Sequence, residues 1–120
     1  MTPSQRSSPD AVGIPTPVIE QLYGHALPGL DAEARRDPAI SPLYADLHDL
    51  PPALLTVGTA DPLLDDSLFL AARWRAAGNA AELAVYPECI HGFTALPTGL
   101  AAAANARIDA FLLALLTDDA

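Results

Sequence analysis

Two short stretches in the second half of the chain carry the apolar spacing of β-strands. Residues 53–58 (ALLTVG) form a near-continuous apolar run that ends at a glycine, which predicts a strand covered on both faces, as in a parallel sheet. Residues 81–87 (AELAVYP) alternate instead, with Ala81, Leu83 and Val85 expected on one face. This second pattern predicts a strand that ends at the proline.

Apolar residues at helical spacing separate the two strands and follow the second. Residues 66–77 place apolar side chains on one side, with Asp65 or Asp66 expected to cap the first turn and Gly78 to end the helix. Residues 100–116 predict a carboxyl-terminal helix that packs back on the sheet. A strand, a capped helix and a strand in succession make a βαβ unit, whose strands run parallel through a right-handed crossover. The predicted fold class is therefore α/β.

The first half of the chain is less regular. Residues 1–17 contain four prolines and three serines without apolar periodicity, which predicts a loose amino-terminal tail that carries no chemistry. Residues 18–24 predict a short helix closed by a glycine, and residues 31–36 predict another that Asp31 opens. The prolines of residues 41–53 predict an extended loop that leads into the first strand.

Composition narrows the expected partners and cofactors. The chain of 120 residues has a formal net charge of -9 at pH 7, and a field of that sign repels phosphate backbones and anionic lipid surfaces. Neither nucleic acid nor a membrane is therefore an expected partner. A single cysteine cannot form an internal disulfide or a cysteine-rich metal site, so no metal or other cofactor is predicted. Without an apolar signal segment at the amino terminus, the expected location is cytoplasmic.

The loops after the two predicted strands each hold one side chain suited to catalysis. Asp61 follows the first strand and His91 follows the second, and the carboxyl ends of parallel neighbours meet at one edge of a sheet. A carboxylate that binds Nδ1 of an imidazole leaves Nε2 to act as a general base. The structural alternatives are a turn-forming aspartate before Pro62 and a polar loop histidine before Gly92.

The amino-acid sequence of these loops is similar to that of a known family. The chain reads SPLYADLHDLPPALLTVGTADPLLDDSLFLAARWRAAG and later VYPECIHGF, and residues 38–116 resemble the end of esterases in the hormone-sensitive-lipase-like branch of the α/β hydrolases. The resemblance implies that residues 18–120 are the carboxyl-terminal part of an α/β-hydrolase domain. It also implies that Asp61 of DPL and His91 of HGF are the acid and base of a catalytic triad, and that a full-length parent hydrolyses small-molecule esters.

The serine that such a triad needs has no candidate in this sequence. No G-x-S-x-G motif and no HGGG-type loop occur, and none of the five serines lies at a predicted turn from strand to helix. They are Ser4, Ser7, Ser8, Ser41 and Ser67. Cys89 is disfavoured as a substitute nucleophile because a free cysteine is most often a small buried hydrophobe. Leu64 and Cys89 also differ from the residues usual at these positions in the family, but neither is the expected acid or base.

The remaining polar and aromatic candidates are interpreted as structural. Acidic side chains at a helix start are explained by capping and the helix dipole, two histidines are expected at the surface or in loops, and two aromatic side chains are expected to pack. These residues are Asp65, Asp66, His25, His48, Trp74 and Phe93. Phe93 could also line an acyl pocket beside His91.

Three functional hypotheses follow. The chain is a truncated esterase, inactive alone; or a hydrolase-like protein without catalysis that binds a partner or small ligand; or one half of a split esterase that requires an amino-terminal complementing segment. The first is preferred. A G-x-S-x-G motif encoded directly upstream would favour the first, and the same motif in a neighbouring gene would favour the third.

Overall fold

Two strands and the helix between them form the centre of the fold. In the computed structural model, which describes residues 1–118, strand β1 (Ala53–Gly58) and strand β2 (Ala81–Tyr86) pair in parallel, with Ala53 opposite Ala81. Helix α3 (Leu64–Ala76) makes the crossover between them. This arrangement confirms the predicted βαβ unit. The sequence could predict these three elements because apolar spacing and terminal glycines act over a few residues.

Helix α3 begins earlier than the apolar pattern predicts. Its first residue is Leu64, so Asp65 and Asp66 lie inside the first turn and neither is the N-cap. The capping role predicted for them is wrong. The carboxylate that bonds to the helix entrance is Asp61, whose Oδ1 accepts the backbone N–H of Leu63 at 2.8 Å. The two acids of the first turn still lie near the positive end of the helix dipole.

The amino-terminal residues pack against this helix instead of forming the predicted loose tail. Residues 3–6 form a short helix, α1 (Pro3–Arg6), in which Gln5 is 1% exposed. The Ser4 N–H donates to Oδ2 of Asp65 at 2.7 Å, and Thr2 Oγ1 donates to Oδ2 of Asp66 at 2.8 Å. The first turn of α3 thus supplies acceptors some 60 residues away in sequence, which the composition of the segment alone cannot reveal.

The following segment is more helical than its sequence pattern indicates. Helix α2 (Thr16–Ala26) spans the predicted tail boundary after residue 17 and passes through Gly24, where the sequence predicts its end. A glycine inside a helix costs only about 1 kcal/mol, so neighbouring residues can carry the helix past it. The helix predicted for residues 31–36 is reduced to a single 3₁₀ turn, Ala34–Arg36. Asp31 still bonds to its start, since its Oδ1 accepts the backbone N–H groups of Glu33 and Ala34.

The proline-rich loop before β1 is fastened to the end of α3 and the turn that follows. Trp74 donates its indole N–H to the carbonyl of Pro51 at 3.0 Å, and Arg73 donates to two loop carbonyls. Asn79 accepts the Leu50 N–H at 3.1 Å and also donates to a loop carbonyl. These side-chain bonds replace the backbone pairing that prolines prevent.

The carboxyl-terminal helix α4 (Gly99–Asp118) buries only its small side chains. Ala101 and Ala104 pack with the side chains of Cys89 and Phe93, whereas Leu112, Leu113 and Leu116 near the end of the helix are exposed. By length and composition, Gly99–Thr117 is the one helical stretch among the described residues that could span a membrane. Helices that pack inside folded domains also meet that measure.

The alternation predicted for β2 is only partly reproduced. Ala84 is 2% exposed, whereas Val85, placed by the sequence pattern on the apolar face, is 42% exposed. A two-stranded sheet has few neighbours to cover it, so a period-two pattern cannot decide which face is buried.

The outer face of α4 provides a test of this packing. We expect replacement of Leu113 and Leu116 by glutamine to change the free energy of unfolding by less than about 0.5 kcal/mol, as for most exposed sites. It should also reduce self-association in gel filtration. Ala104→Gln, the matched buried change, should destabilise by about 2 kcal/mol or more because it overpacks the core and buries an amide. Equal losses in the two proteins, measured by thermal unfolding, would contradict this assignment.

Candidate active site

Asp61 is fixed by the turn that leads from β1 into α3. Its N–H donates to the carbonyl of Gly58 at 3.2 Å, and its own carbonyl accepts the Leu64 N–H at 3.0 Å. The side chain is 9% exposed and uses Oδ1 to accept the Leu63 N–H. The backbone and one carboxylate oxygen are thereby committed to the turn, and Oδ2 is directed to the neighbouring loop.

His91 meets this oxygen from the loop after β2. Its Nδ1 lies 3.0 Å from Oδ2 of Asp61, across a sequence separation of 30 residues. The imidazole is 42% exposed, and no hydrogen bond recorded within residues 1–118 engages its Nε2. The structure therefore brings together the two residues that the sequence predicts as acid and base.

The hydrogen bonds of Asp61 decide which nitrogen of His91 is left to take up a proton. A nearly buried carboxylate is costly to desolvate unless its oxygens are bonded, and Asp61 has a partner on each oxygen. A carboxylate at Nδ1 favours the tautomer that holds the proton on that nitrogen. Nε2 is then left with a free lone pair, which is the requirement for a general base.

A second aspartate–histidine pair in the chain has different surroundings. The ring of His48 contacts Asp46 two residues away, and both side chains are largely exposed. Hydrogen bonds from the His48 side chain and backbone, with a smaller charge interaction, lower the pKa of Asp46 below its usual value. This pair forms within one turn of a surface loop and has no second element to hold it, so it is a poor candidate for positioned chemistry.

The loops that carry Asp61 and His91 approach each other at a residue that sequence reasoning did not single out. A Cβ atom on Gly58 would lie 1.8 Å from the carbonyl oxygen of Cys89, so only glycine permits this contact. The same carbonyl accepts the Ala60 N–H at 3.1 Å. A glycine that ends an apolar strand is the signal that could have identified the approach.

Other possible nucleophiles lie elsewhere. Ser4, Ser7 and Ser8 donate their hydroxyl groups to backbone carbonyls, and among the described residues no serine is bonded to His91. The thiol of Cys89 is buried in the core cluster. Within residues 1–118 no group of three histidine, cysteine, aspartate or glutamate side chains is placed to hold a metal ion.

A cavity of about 750 Å³ lies between the amino-terminal helices and the loop before β1. Tyr23, Arg35 and Phe69 are among its lining residues, and neither Asp61 nor His91 contributes to it. The volume is typical of small-molecule sites, but its walls carry none of the predicted acid–base chemistry.

Comparison with known proteins places this geometry in context. A family model described as alpha/beta hydrolase fold matches residues 1–95. Carboxylesterase NlhH of Mycobacterium tuberculosis is 34% identical over 106 residues, which cover 87% of this chain and 33% of that protein. Hormone-sensitive lipase of Homo sapiens is 41% identical over 64 residues, 51% of this chain and 6% of the lipase.

A solved structure is similar to this chain in the same way. A crystal structure of an esterase from the bacterial hormone-sensitive lipase family superposes with a TM-score of 0.71 at 37% identity, covering 82% of this chain and 33% of that one. The chain therefore spans about a third of the length of carboxylesterase NlhH and of this esterase.

The contact at Gly58 generates a direct test of the loop geometry. We expect Gly58→Ala to lower the free energy of unfolding by about 3 kcal/mol, the upper end for overpacking, because the obstructing atoms are backbone. Gly24→Ala is the matched control, since a Cβ there meets nothing within 4 Å inside α2. It should stabilise the protein by about 0.5 to 1 kcal/mol. Chemical unfolding of both variants checks this, and an unaffected Gly58→Ala protein would contradict the close approach.

Proposed function

The chain belongs to the α/β-hydrolase-fold family, in its hormone-sensitive-lipase-like esterase branch, and we propose that it supplies the acid and base of a serine esterase. The family predicted from the DPL and HGF motifs and the α/β fold class are confirmed. The proposal for the two residues is supported chiefly by the 3.0 Å contact between Nδ1 of His91 and Oδ2 of Asp61.

The proposed reaction uses Nε2 of His91 twice. As a serine hydroxyl attacks the ester carbonyl, Nε2 takes the hydroxyl proton and then gives it to the departing alcohol, which leaves an acyl-enzyme. Nε2 next takes a proton from water, whose oxygen attacks the acyl carbon, and returns that proton to the serine as the carboxylic acid departs. Asp61 stays ionised throughout and stabilises the imidazolium that forms in each half.

The nucleophile in this proposal comes from sequence outside these 120 residues. The chain holds no G-x-S-x-G motif, and its serine hydroxyls nearest the amino terminus are engaged with backbone carbonyls. Residues that form the oxyanion hole in this fold also precede the acid in chain order. We propose an amino-terminal complementing segment, joined to this chain or made separately, as their source.

The proposed substrate class is a carboxylic ester. Relatives named carboxylesterase and carboxylic ester hydrolase support that class at 34% and 42% identity. The cytoplasmic location stays a prediction from the amino-terminal sequence, and the exclusion of nucleic acid and membrane partners stays a prediction from the charge.

The proposal predicts that the chain alone is inactive. Purified chain should hydrolyse p-nitrophenyl acetate no faster than a His91→Ala variant, because an imidazole base without a positioned nucleophile gives only background hydrolysis. Turnover that disappears in His91→Ala but persists after every serine is replaced would overturn the assignment of the nucleophile.

Complementation tests the acid and base themselves. Co-expression with the amino-terminal two thirds of carboxylesterase NlhH should give ester hydrolysis, and Asp61→Asn should lower kcat by about 10⁴-fold, as for a triad carboxylate. Asp46→Asn is the matched control, because it removes the same charge from the exposed pair and should leave kcat unchanged. A complex that assembles, hydrolyses esters and tolerates Asp61→Asn would refute the proposed role.

A further inference from the structure

Hydrogen bonds between the segments that carry β1 and β2 continue past the ends of the two strands. Each residue of β1 pairs with the residue 28 positions later, as Ala53 does with Ala81. Beyond β1, the Thr59 N–H donates to the carbonyl of Tyr86 at 2.9 Å. The two loops are therefore joined before either reaches its catalytic residue.

Three contacts join the two loops beyond the strands. Thr59 Oγ1 accepts the N–H of Glu88 at 2.8 Å, and the Ala60 N–H donates to the carbonyl of Cys89 at 3.1 Å. Oδ2 of Asp61 and Nδ1 of His91 then meet at 3.0 Å. The side-chain contact of Thr59 therefore lies two residues before Asp61 on one loop and three residues before His91 on the other.

The loop after β2 turns sharply at Glu88. This residue has a φ of +56°, a conformation that side chains other than glycine, asparagine and aspartate rarely adopt. Its N–H, which points back at the first loop, is the group that the Thr59 hydroxyl binds. The side chain of Thr59 thus holds the unusual turn that sets the position of His91.

We propose that Thr59 is a positioning residue for the Asp61–His91 pair, acting through Glu88; the proposal rests on the proposed function only for its catalytic meaning. Thr59 contacts neither the carboxylate nor the imidazole in the hydrogen bonds described for residues 1–118. Its acceptor oxygen holds the turn at Glu88, and the contact of His91 with Asp61 that follows this turn favours the proton on Nδ1.

The tautomer of His91 is the direct readout. The chain contains three histidines, so His25→Gln and His48→Gln leave a single ring that can be labelled with ¹⁵N. At about pH 9, well above the usual histidine range, the ¹⁵N shifts of the 120-residue chain report which ring nitrogen is protonated. Spectra of immobilised protein in the solid state give the same shifts if lines in solution are broad.

Thr59→Val and Thr59→Ser form the critical comparison. Valine keeps the shape and loses the acceptor, and we expect the ratio of Nδ1–H to Nε2–H tautomer to fall about fivefold, as loss of one hydrogen bond produces. Serine retains the acceptor and should preserve the ratio. An unchanged ratio in Thr59→Val, or an equal fall in both variants, would overturn the proposal.

Glu88→Gly separates positioning from a general loss of folding. Glycine adopts a positive φ without help, so Thr59→Val combined with Glu88→Gly should recover the parental tautomer ratio. Failure to recover the parental ratio would also overturn the proposal. The same conclusion follows if circular dichroism shows that both proteins with Thr59→Val are unfolded. If the tautomer responds as expected but complemented activity ignores Asp61→Asn, the esterase proposal fails and the positioning role stands.

Discussion

The close approach of the two loops beyond the parallel strands is the constraint from which the candidate site follows. Adjacent strands lie about 4.8 Å apart. Where the neighbouring loop passes the end of a strand, a side chain at that position would collide with the backbone of the loop. Gly58 removes the obstacle, and the carbonyl of Cys89 occupies the space that a Cβ would take. Asp61 comes three residues after Gly58 and His91 two residues after Cys89, so this backbone contact brings the two side chains near each other.

The start of helix α3 explains why the amino-terminal residues fold onto this part of the molecule. Asp61, Asp65 and Asp66 lie within two turns of one another at the positive end of the helix, where the dipole favours each charge by about 0.3 to 1 kcal/mol. Three neighbouring carboxylates also repel, and each needs donors. Ser4 supplies a backbone N–H to Asp65, and Thr2 and Gln5 supply neutral side-chain donors to Asp66, so these two charges are bonded by neutral groups from the amino terminus.

Local signals in the sequence predict the helices and strands. The features that the sequence does not reveal depend on contacts between distant segments. The strand at residues 53–58 could be predicted because apolar runs, glycine and proline act over a few residues, and the parallel strands made a contact between Asp61 and His91 predictable. The burial of Gln5 could not, since its bond to Asp66 joins residues 61 positions apart. The exposure of Val85 follows from how little of the chain covers the sheet, which no alternating pattern encodes.

The βαβ unit explains how a chain that spans about a third of its relatives' length can bring Asp61 and His91 together. The two residues are separated by one helix and one strand. The bonds that join their loops to each other lie within this unit, and Ser4 adds one bond from the amino terminus to the carbonyl of Pro62. In the proposed function, a serine on a further strand would approach Nε2 on the side of the ring opposite the carboxylate. The contact between Asp61 and His91 is therefore a local product of this sequence, whereas the proposed nucleophile requires a long-range assembly with further strands, which is the more demanding step.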